Sequence, residues 1–447
     1  MKRVPLLGHA GLDEVFAWRP SGPVTVRGFL ADTAALAACL PPGRHLLNVC
    51  QDRYHFAVGL AAGLLSGRIS LQPSSQSPET LRQIQAACPD VCCLCDGDFA
   101  SGDLPRLDFP TLAAVDPEKV AKIPDVPANQ PAIQVYTSGS TGQPLPYRKS
   151  WGSLVSNARA EANRLNVAGH AIVGTVPAQH MYGFESTVLL ALHGNAPFWS
   201  GKPFYPQDIV AALAAVPPPR LLVSTPFHLT ALLESGLNLP AVDLLLSATA
   251  PLSEELAAAA ESRFQAPLIE IYGCTESGQI ASRRTTAGRA WELFADVRLE
   301  QEGGQTFACG GHVEGRPALA DVIEILADDR FLLHGRDADL VNIAGKRTSL
   351  AYLNHQIASI AGVRDAAFYL PEADTSTGIT RLCAFAVAPG LEVPALLQAL
   401  RGRIDPIFLP RPLVLVDHLP RNGVGKLPLA ALQALHAAHA GKTHGRR

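Results

Sequence analysis

No stretch of this chain is long and apolar enough to span a bilayer. The longest candidate, "FAVGLAAGLLSG" from Phe56 to Gly67, is short and broken by glycine. A charge excess is missing too: 37 Lys and Arg stand against 40 Asp and Glu, a formal net charge of -3. That balance leaves no electrostatic footprint for nucleic acid and no basic stripe for a membrane surface. The opening "MKRVPLLGHAGLDEVF" contains no apolar segment of signal-peptide type, so a cytoplasmic location is expected. Nothing suggests a disulfide framework, because nine cysteines, an odd number scattered through apolar runs, fit reduced buried thiols. Even the densest group, "ACPDVCCLCDGD" with Cys88, Cys92, Cys93 and Cys95, lacks a second Cys/His pair at zinc spacing and reads as a buried strand. What remains is a globular chain of 447 residues, 47% hydrophobic, large enough for more than one folding unit. Small-molecule chemistry is the class of function left standing.

One more absence is local. "VYTSGSTGQPLPYRKSW", Val135 to Trp151, has the composition of a phosphate loop, yet Gly139 and Gly142 are too close for a nucleoside-triphosphatase P-loop and no lysine follows the second glycine. Backbone N–H groups freed by glycine, with the hydroxyls of Thr137, Ser138, Ser140 and Thr141, can still bind a polyphosphate through many weak donors. Cationic help would have to come from Arg148, Lys149 or a metal ion.

The N-terminal part alternates strands with helices, which predicts an α/β fold with mostly parallel sheets flanked by helices. "HLLNVC", "RISLQP" and "VCCLC" are strand runs, "RYHFAVGLAAGLLSG" is a helix, and "SPETLRQIQAAC" is a helix with Ser77 as N-cap. Residues 96 to about 130 read as a loop-rich connection. "AIQVYTSGSTG", "HAIVGTVP", "RLLVSTP", "AVDLLLSATAPL" and "PLIEIYGCTESG" are further apolar strands running into polar loops. In open α/β sheets the crevice beyond such strand ends is where ligands bind. After "FLLHGRDADLVNIAGKRTSL" shorter elements predict a small α+β unit, so the division expected is 1–335 and 336–447, with a frayed tail at "HAAHAGKTHGRR".

Three more loops can carry chemistry. In "IYGCTESG", Tyr272 can stack on a base, Thr275 can donate to a phosphate and Glu276 can ligate Mg²⁺; the segment is equally a capped turn with a solvated glutamate. Asp321 and Arg336 suit a ribose diol or are plain linker charges. In "LPRNGVGKLP", Lys426 is a solvated lysine or a cation delivered to developing negative charge.

Taken in this order and spacing, the four segments resemble the adenylate-forming superfamily of acyl-CoA synthetases, aryl-CoA ligases, peptide-synthetase adenylation domains and luciferases. The resemblance implies a large N-terminal domain, residues 1–335, that binds ATP and an acid, and a mobile C-terminal lid, residues 336–447. The family's phosphate loop matches Thr137, Ser138, Gly139, Ser140, Thr141 and Gly142; its adenine segment matches Ser247, Ala248 and Thr249 within "SATAPL"; its "YG-x-TE" matches Tyr272, Gly273, Thr275 and Glu276. By the same resemblance Glu276 and Thr141 hold Mg²⁺, Asp321 and Arg336 hold the ribose, and Lys426 is the catalytic lysine. "PAQHMYGFE" resembles the segment beside the acyl pocket, which implies His180 with Tyr182, Gly183 and Phe184. After adenylation the lid rotates and presents "NIAGKR" to a channel where the thiol of CoA, or of phosphopantetheine on an acyl carrier protein, attacks. Two departures are evident: Ala338 stands at the usual Asp or Lys hinge, and Gln143-Pro144-Leu145-Pro146 replaces K-P-K-G.

Substrate expectations follow from the side chains near His180. They are aromatic and polar-neutral, with Glu185 the only nearby charge, so a hydroxylated aryl acid such as a hydroxybenzoate ranks first, a medium-chain fatty acid second and an amino acid lower. A non-catalytic AMP-binding regulatory relative is the rival from another class. The compact chain looks most like the ligases of aryl-polyene and xanthomonadin-type pigment clusters, with an acyl carrier protein as partner.

Overall fold

The computed structural model describes residues 2–443 apart from 74–75, 77, 113–117, 119, 139–143, 337–339, 344–345, 372–380 and 423–424. The chain forms two compact units. Met1–Ala248, Glu254–Leu319 and Ala327–Arg330 make the first; Thr249–Ser253, Ala320–Leu326 and Phe331–Arg447 make the second.

Short apolar runs, buried on both faces, build the parallel sheets of the first unit, as expected for strands covered by helices. One sheet runs in the order Pro144–Ser150, Pro131–Ser138, Ile69–Gln72, His45–Asn48, Val91–Cys95, Arg106–Asp108, and only its first strand is antiparallel to its neighbour. Cys88, Cys93 and Cys95 pack there with Leu47 and Leu71, and all nine cysteines are free thiols. Burial raises the thiol pKa at Cys93 to about 12 and at Cys95 to about 11.

The second sheet places six parallel strands side by side: Val15–Arg19, Phe198–Trp199, Ala171–Gly174, Arg220–Ser224, Leu244–Ser247 and Leu268–Cys274. Antiparallel partners, Gly22–Thr25 on one side and Gly278–Arg283 then Trp291–Leu293 on the other, extend it. The α/β architecture expected from the alternation of elements is therefore present. Pro144–Ser150 was not legible as a strand, since two prolines and a basic pair look like a loop. It survives as one because it lies at a sheet edge, where missing N–H donors cost little.

Arg53 ties the two sheets together. It opens the helix Arg53–Leu65, is 2% exposed, and spreads its guanidinium over four main-chain carbonyls: Trp199 and Gly201 from Nη1 at 3.1 and 2.9 Å, Gly174 and Val176 from Nη2 at 3.1 and 2.9 Å. Gly174 must be glycine here, because a Cβ would lie 2.9 Å from that Nη2 and 2.8 Å from Thr187 Cγ2.

The second unit stacks the strands Asp365–Tyr369, Cys383–Val387 and Leu413–Leu415 against the helices Leu350–Ala358 and Val393–Arg401 around a core that includes Leu353, Phe368, Leu396 and Leu400. The described part of the expected frayed tail is helical, in the helix Leu429–Thr443, and residues 444–447 lie outside the described residues. The rings of His436 and His439 lie 5.4 Å from Tyr369 and 6.1 Å from Phe385, which gives that helix a packed face.

Candidate nucleotide and acid site

The carboxyl ends of the central parallel strands lie level, Gly174 beside Val223 and Ser224 beside Ser247, so their exit residues form one row. Thr175, Ser224 and Ser247 put neutral hydroxyls there, each essentially inaccessible to solvent. Thr175 Oγ1 lies 3.4 Å from Ser224 Oγ and 3.4 Å from His228 Nδ1, which Thr225 Oγ1 approaches to 3.0 Å. Burial lowers the His228 pKa to about 4, so the ring is neutral. Ser247 Oγ is buried without a hydrogen-bond partner, a cost that a bound polar ligand would remove. Ala248 follows it, buried. Thr249, at the start of a short segment of the second unit, has φ of +79°, a strained conformation for a β-branched residue of the kind that clusters at functional sites.

Leu268–Cys274 outruns its parallel neighbour and turns back as Gly278–Arg283. The turn between them holds Thr275 and Glu276, and a bulge at Tyr272/Gly273 tightens its base. Gly273 cannot carry a side chain, since its Cβ would collide with the Gly278 carbonyl; Gly278 has φ of +74°. Ser277 closes the turn by accepting from the Cys274 N–H at 3.3 Å and donating to the Gly278 carbonyl at 2.8 Å. Tyr272 is buried with its ring 5.5 Å from Trp291, over whose ring Arg283 is placed at 4.4 Å. Lys149, 6% exposed, donates from Nζ to the Glu276 carbonyl at 2.9 Å.

His180 precedes the short helix Met181–Gly183, which passes directly into a six-residue π-helix, Phe184–Leu189, a geometry frequent at functional sites. Gly183 packs against the Pro177 carbonyl with no room for a Cβ. Tyr182 and Phe184 are buried, and the Phe184 ring meets Phe56 edge-on at 6.2 Å.

Beneath these residues lies a pair of buried carboxyls: Glu185, which the sequence placed near the pocket as its only charge, and Glu161, which it did not single out. Asn157 donates to Glu185 Oε1 at 2.8 Å, while the Ser186 hydroxyl lies 2.7 Å from both Glu161 Oε1 and the Gln279 side-chain amide. The available signal was Asn157 and Glu161 one turn apart on the apolar face of the helix Trp151–Leu165. Burial raises the Glu161 pKa to about 8, with the Ser186 hydrogen bond opposing and the Glu185 charge adding. Because that value exceeds the ordinary 4.5, the folded state holds the extra proton between the two. Stability should therefore fall as pH rises from 4.5 through about 8, by up to about 1.4 kcal/mol per pH unit for this proton. Glu161→Gln should flatten that slope in urea titrations across the window, and an unchanged slope would refute the assignment.

The remaining candidates belong to the second unit. Asp321 opens the strand Asp321–Ala327 and Arg336 closes its neighbour Arg330–Arg336, which places both at the open end of one hairpin. Lys426 is exposed on a loop anchored by Arg421, which grips both oxygens of Asp365 at 2.7 Å and the Gly425 carbonyl at 3.0 Å. Asn422 Oδ1 accepts from the Lys426 N–H at 2.9 Å. Gly139, Ser140, Thr141, Gly142, Gln143 and the hinge candidate Ala338 lie outside the described residues; Thr137 and Ser138 end the strand Pro131–Ser138.

Mg²⁺ arriving with a nucleotide needs only one or two protein carboxylates, because phosphate oxygens and water complete its shell. One carboxylate beside a hydroxyl on a tight glycine-bounded turn, Glu276 with Thr275, fits that demand. Among the described residues no group of three or more His, Cys, Asp and Glu is placed to hold a metal ion.

Residues 44–316 match the family model of AMP-binding enzymes. The chain is 29% identical to a 4-coumarate–CoA ligase of Rhodobacter capsulatus over 61% of its own length and 72% of that protein's. Its fold is similar to ATP-bound MatB of Rhodopseudomonas palustris, with a TM-score of 0.80, 18% identity and coverage of 96% and 97% of the two chains. The o-succinylbenzoate CoA synthetase MenE of Bacillus subtilis, in complex with its acyl-adenylate, gives 0.80 at 17% identity over the same shares. A family match that takes in the strand ends, the buried carboxyl pair and the Tyr272–Gly278 turn leaves one conclusion: the chain belongs to the AMP-binding enzymes.

Proposed function

We propose that this enzyme activates a carboxylic acid with ATP and passes the acyl group to a thiol, as an AMP-forming acid–thiol ligase. The observation that carries the reading is the glycine-bounded Tyr272–Gly278 turn standing beyond level parallel strand ends in an AMP-binding chain. A carboxylate oxygen of the acid attacks the α-phosphorus, the bond to the bridging oxygen breaks, and pyrophosphate leaves. Tyr272 packs against the base, Asp321 and Arg336 hold the ribose, and Glu276 with Thr141 supplies the protein's oxygens to Mg²⁺. Lys426 meets the charge that grows between carboxylate and α-phosphate. In the second step a thiol sulfur attacks the acyl carbon and AMP departs.

The acid we favour is a hydroxylated aryl acid. Neutral hydroxyls at Thr175, Ser224 and Ser247, a neutral His228 and the rings of Tyr182 and Phe204 suit an aromatic acid with an uncharged polar substituent. The names of the R. capsulatus and B. subtilis relatives point the same way. The thiol is that of CoA or of an acyl carrier protein's phosphopantetheine, the latter matching the pigment-cluster type of ligase. Pyrophosphate release from ATP across hydroxybenzoates, cinnamates and medium-chain fatty acids tests this. Hydroxybenzoates or cinnamates should respond most strongly. A response to fatty acids alone would refute the aryl assignment, and silence with every acid would indicate a non-catalytic AMP binder.

A further inference from the structure

Lys149 stands on the edge strand that leaves segment 139–143, where a cation would be expected to serve phosphate. Its ammonium is instead buried and donates to the main-chain carbonyl of Glu276. The surroundings are built for it. Glu185, 2% exposed, has its pKa raised by burial to about 7, with the Lys149 charge and hydrogen bonds from the Gln279 N–H and Asn157 opposing that rise. His312, kept neutral mainly by burial, makes a 2.7 Å hydrogen bond from Nε2 to the Gln279 carbonyl. Gly278 closes the roof, since a Cβ there would lie 2.8 Å from both Asn157 Nδ2 and Glu185 Oε1. The turn is thus held from below at residue 276 by Lys149 and at residue 279 by Glu185 and His312.

We propose that Lys149 is a positioning residue: it clamps the Glu276 peptide over the buried Glu185, so that the Glu276 carboxylate is pre-set for a divalent cation bound to a nucleoside triphosphate. A buried ammonium has to be matched by nearby negative charge and acceptors, and its hydrogen bond to a carbonyl is charge-assisted, which makes it stronger than a neutral one. It also joins the strand leaving the Ser/Thr/Gly segment to the metal turn, so the two loops are coupled through one side chain. The inference rests on the role of Glu276 proposed above.

The test compares the full chain with Lys149→Met/Glu185→Gln, which removes both charges together, and with Glu276→Gln. Mn²⁺-ATP binding is followed by electron paramagnetic resonance and metal-free AMP binding by calorimetry. The paired variant should bind Mn²⁺-ATP about tenfold more weakly, the loss expected for one charge-assisted hydrogen bond, and AMP as before. Unchanged Mn²⁺-ATP binding in the paired variant, with loss in Glu276→Gln, would overturn the positioning role and keep the metal reading. Unchanged binding in Glu276→Gln would overturn both. Equal loss of AMP and Mn²⁺-ATP would also overturn positioning, because a merely structural lysine would weaken both ligands. If the paired variant does not fold, Lys149→Met alone, assayed below the Glu185 value of about 7, gives the same comparison with the Glu185 carboxyl mostly protonated.

Discussion

Lys426→Ala is expected to lower acid-dependent pyrophosphate release by about 10²- to 10³-fold, the usual cost of losing one preorganised charge donor in a transition state. Thioester formation from a preformed acyl-adenylate should stay close to the wild-type rate. The asymmetry follows from chemistry: charge builds at the α-phosphate in the first step, while the second expels AMP from a carbonyl carbon. The loop is suited to delivering one cation, because Arg421 fixes its base to Asp365 and Asn422 fixes the Lys426 N–H, leaving a defined stem under an exposed residue. Equal loss in both half-reactions would overturn the separation of roles. Folding is checked independently, since a solvent-exposed lysine should change the unfolding midpoint little.

Arg53→Met should be among the most destabilising single substitutions in the first unit, costing about 3 kcal/mol or more in urea unfolding. Methionine keeps much of the stem's packing but leaves the carbonyls of Gly174, Val176, Trp199 and Gly201 without their donor. Lysine is not a substitute, because a single ammonium cannot reproduce the planar fork that serves acceptors from two separate strand exits. A loss below about 1 kcal/mol would mean that other donors replace the guanidinium. Arg53 remains charged in the fold, since burial lowers its pKa only to about 10.

These two residues mark what a sequence shows and what it hides. Central strands such as "LLLS" and "VCCLC" were legible because continuous apolar runs between turns have few other uses. The edge strand Pro144–Ser150 was not, because its residues answer to the end of a sheet rather than to a local preference. The tight turn that carries Tyr272, Gly273 and Glu276 could be read from spacing, since such a turn needs its glycine at a fixed offset. Glu161, Ser186 and Gln279 could not, because three separate elements bring them together and each alone looks like an ordinary polar residue. Lys149 shows the same limit: its distance along the chain from a phosphate-type loop was visible, but the direction of its side chain was not. Arg53 in "QDRYHF" looks like a helix start, and nothing nearby announces carbonyls more than a hundred residues away.

The buried thiols carry a consequence for redox behaviour. Burial raises the pKa at the six buried cysteines Cys50, Cys88, Cys92, Cys93, Cys95 and Cys383. The thiolate is the form that attacks disulfides and oxidants. A protein whose proposed second substrate is itself a thiol meets that substrate's disulfides throughout its working life, and these six sulfurs are poor partners for exchange with them. The apolar packing that excludes water from the sheets therefore also keeps these buried sulfurs out of the thiol chemistry the protein is proposed to perform.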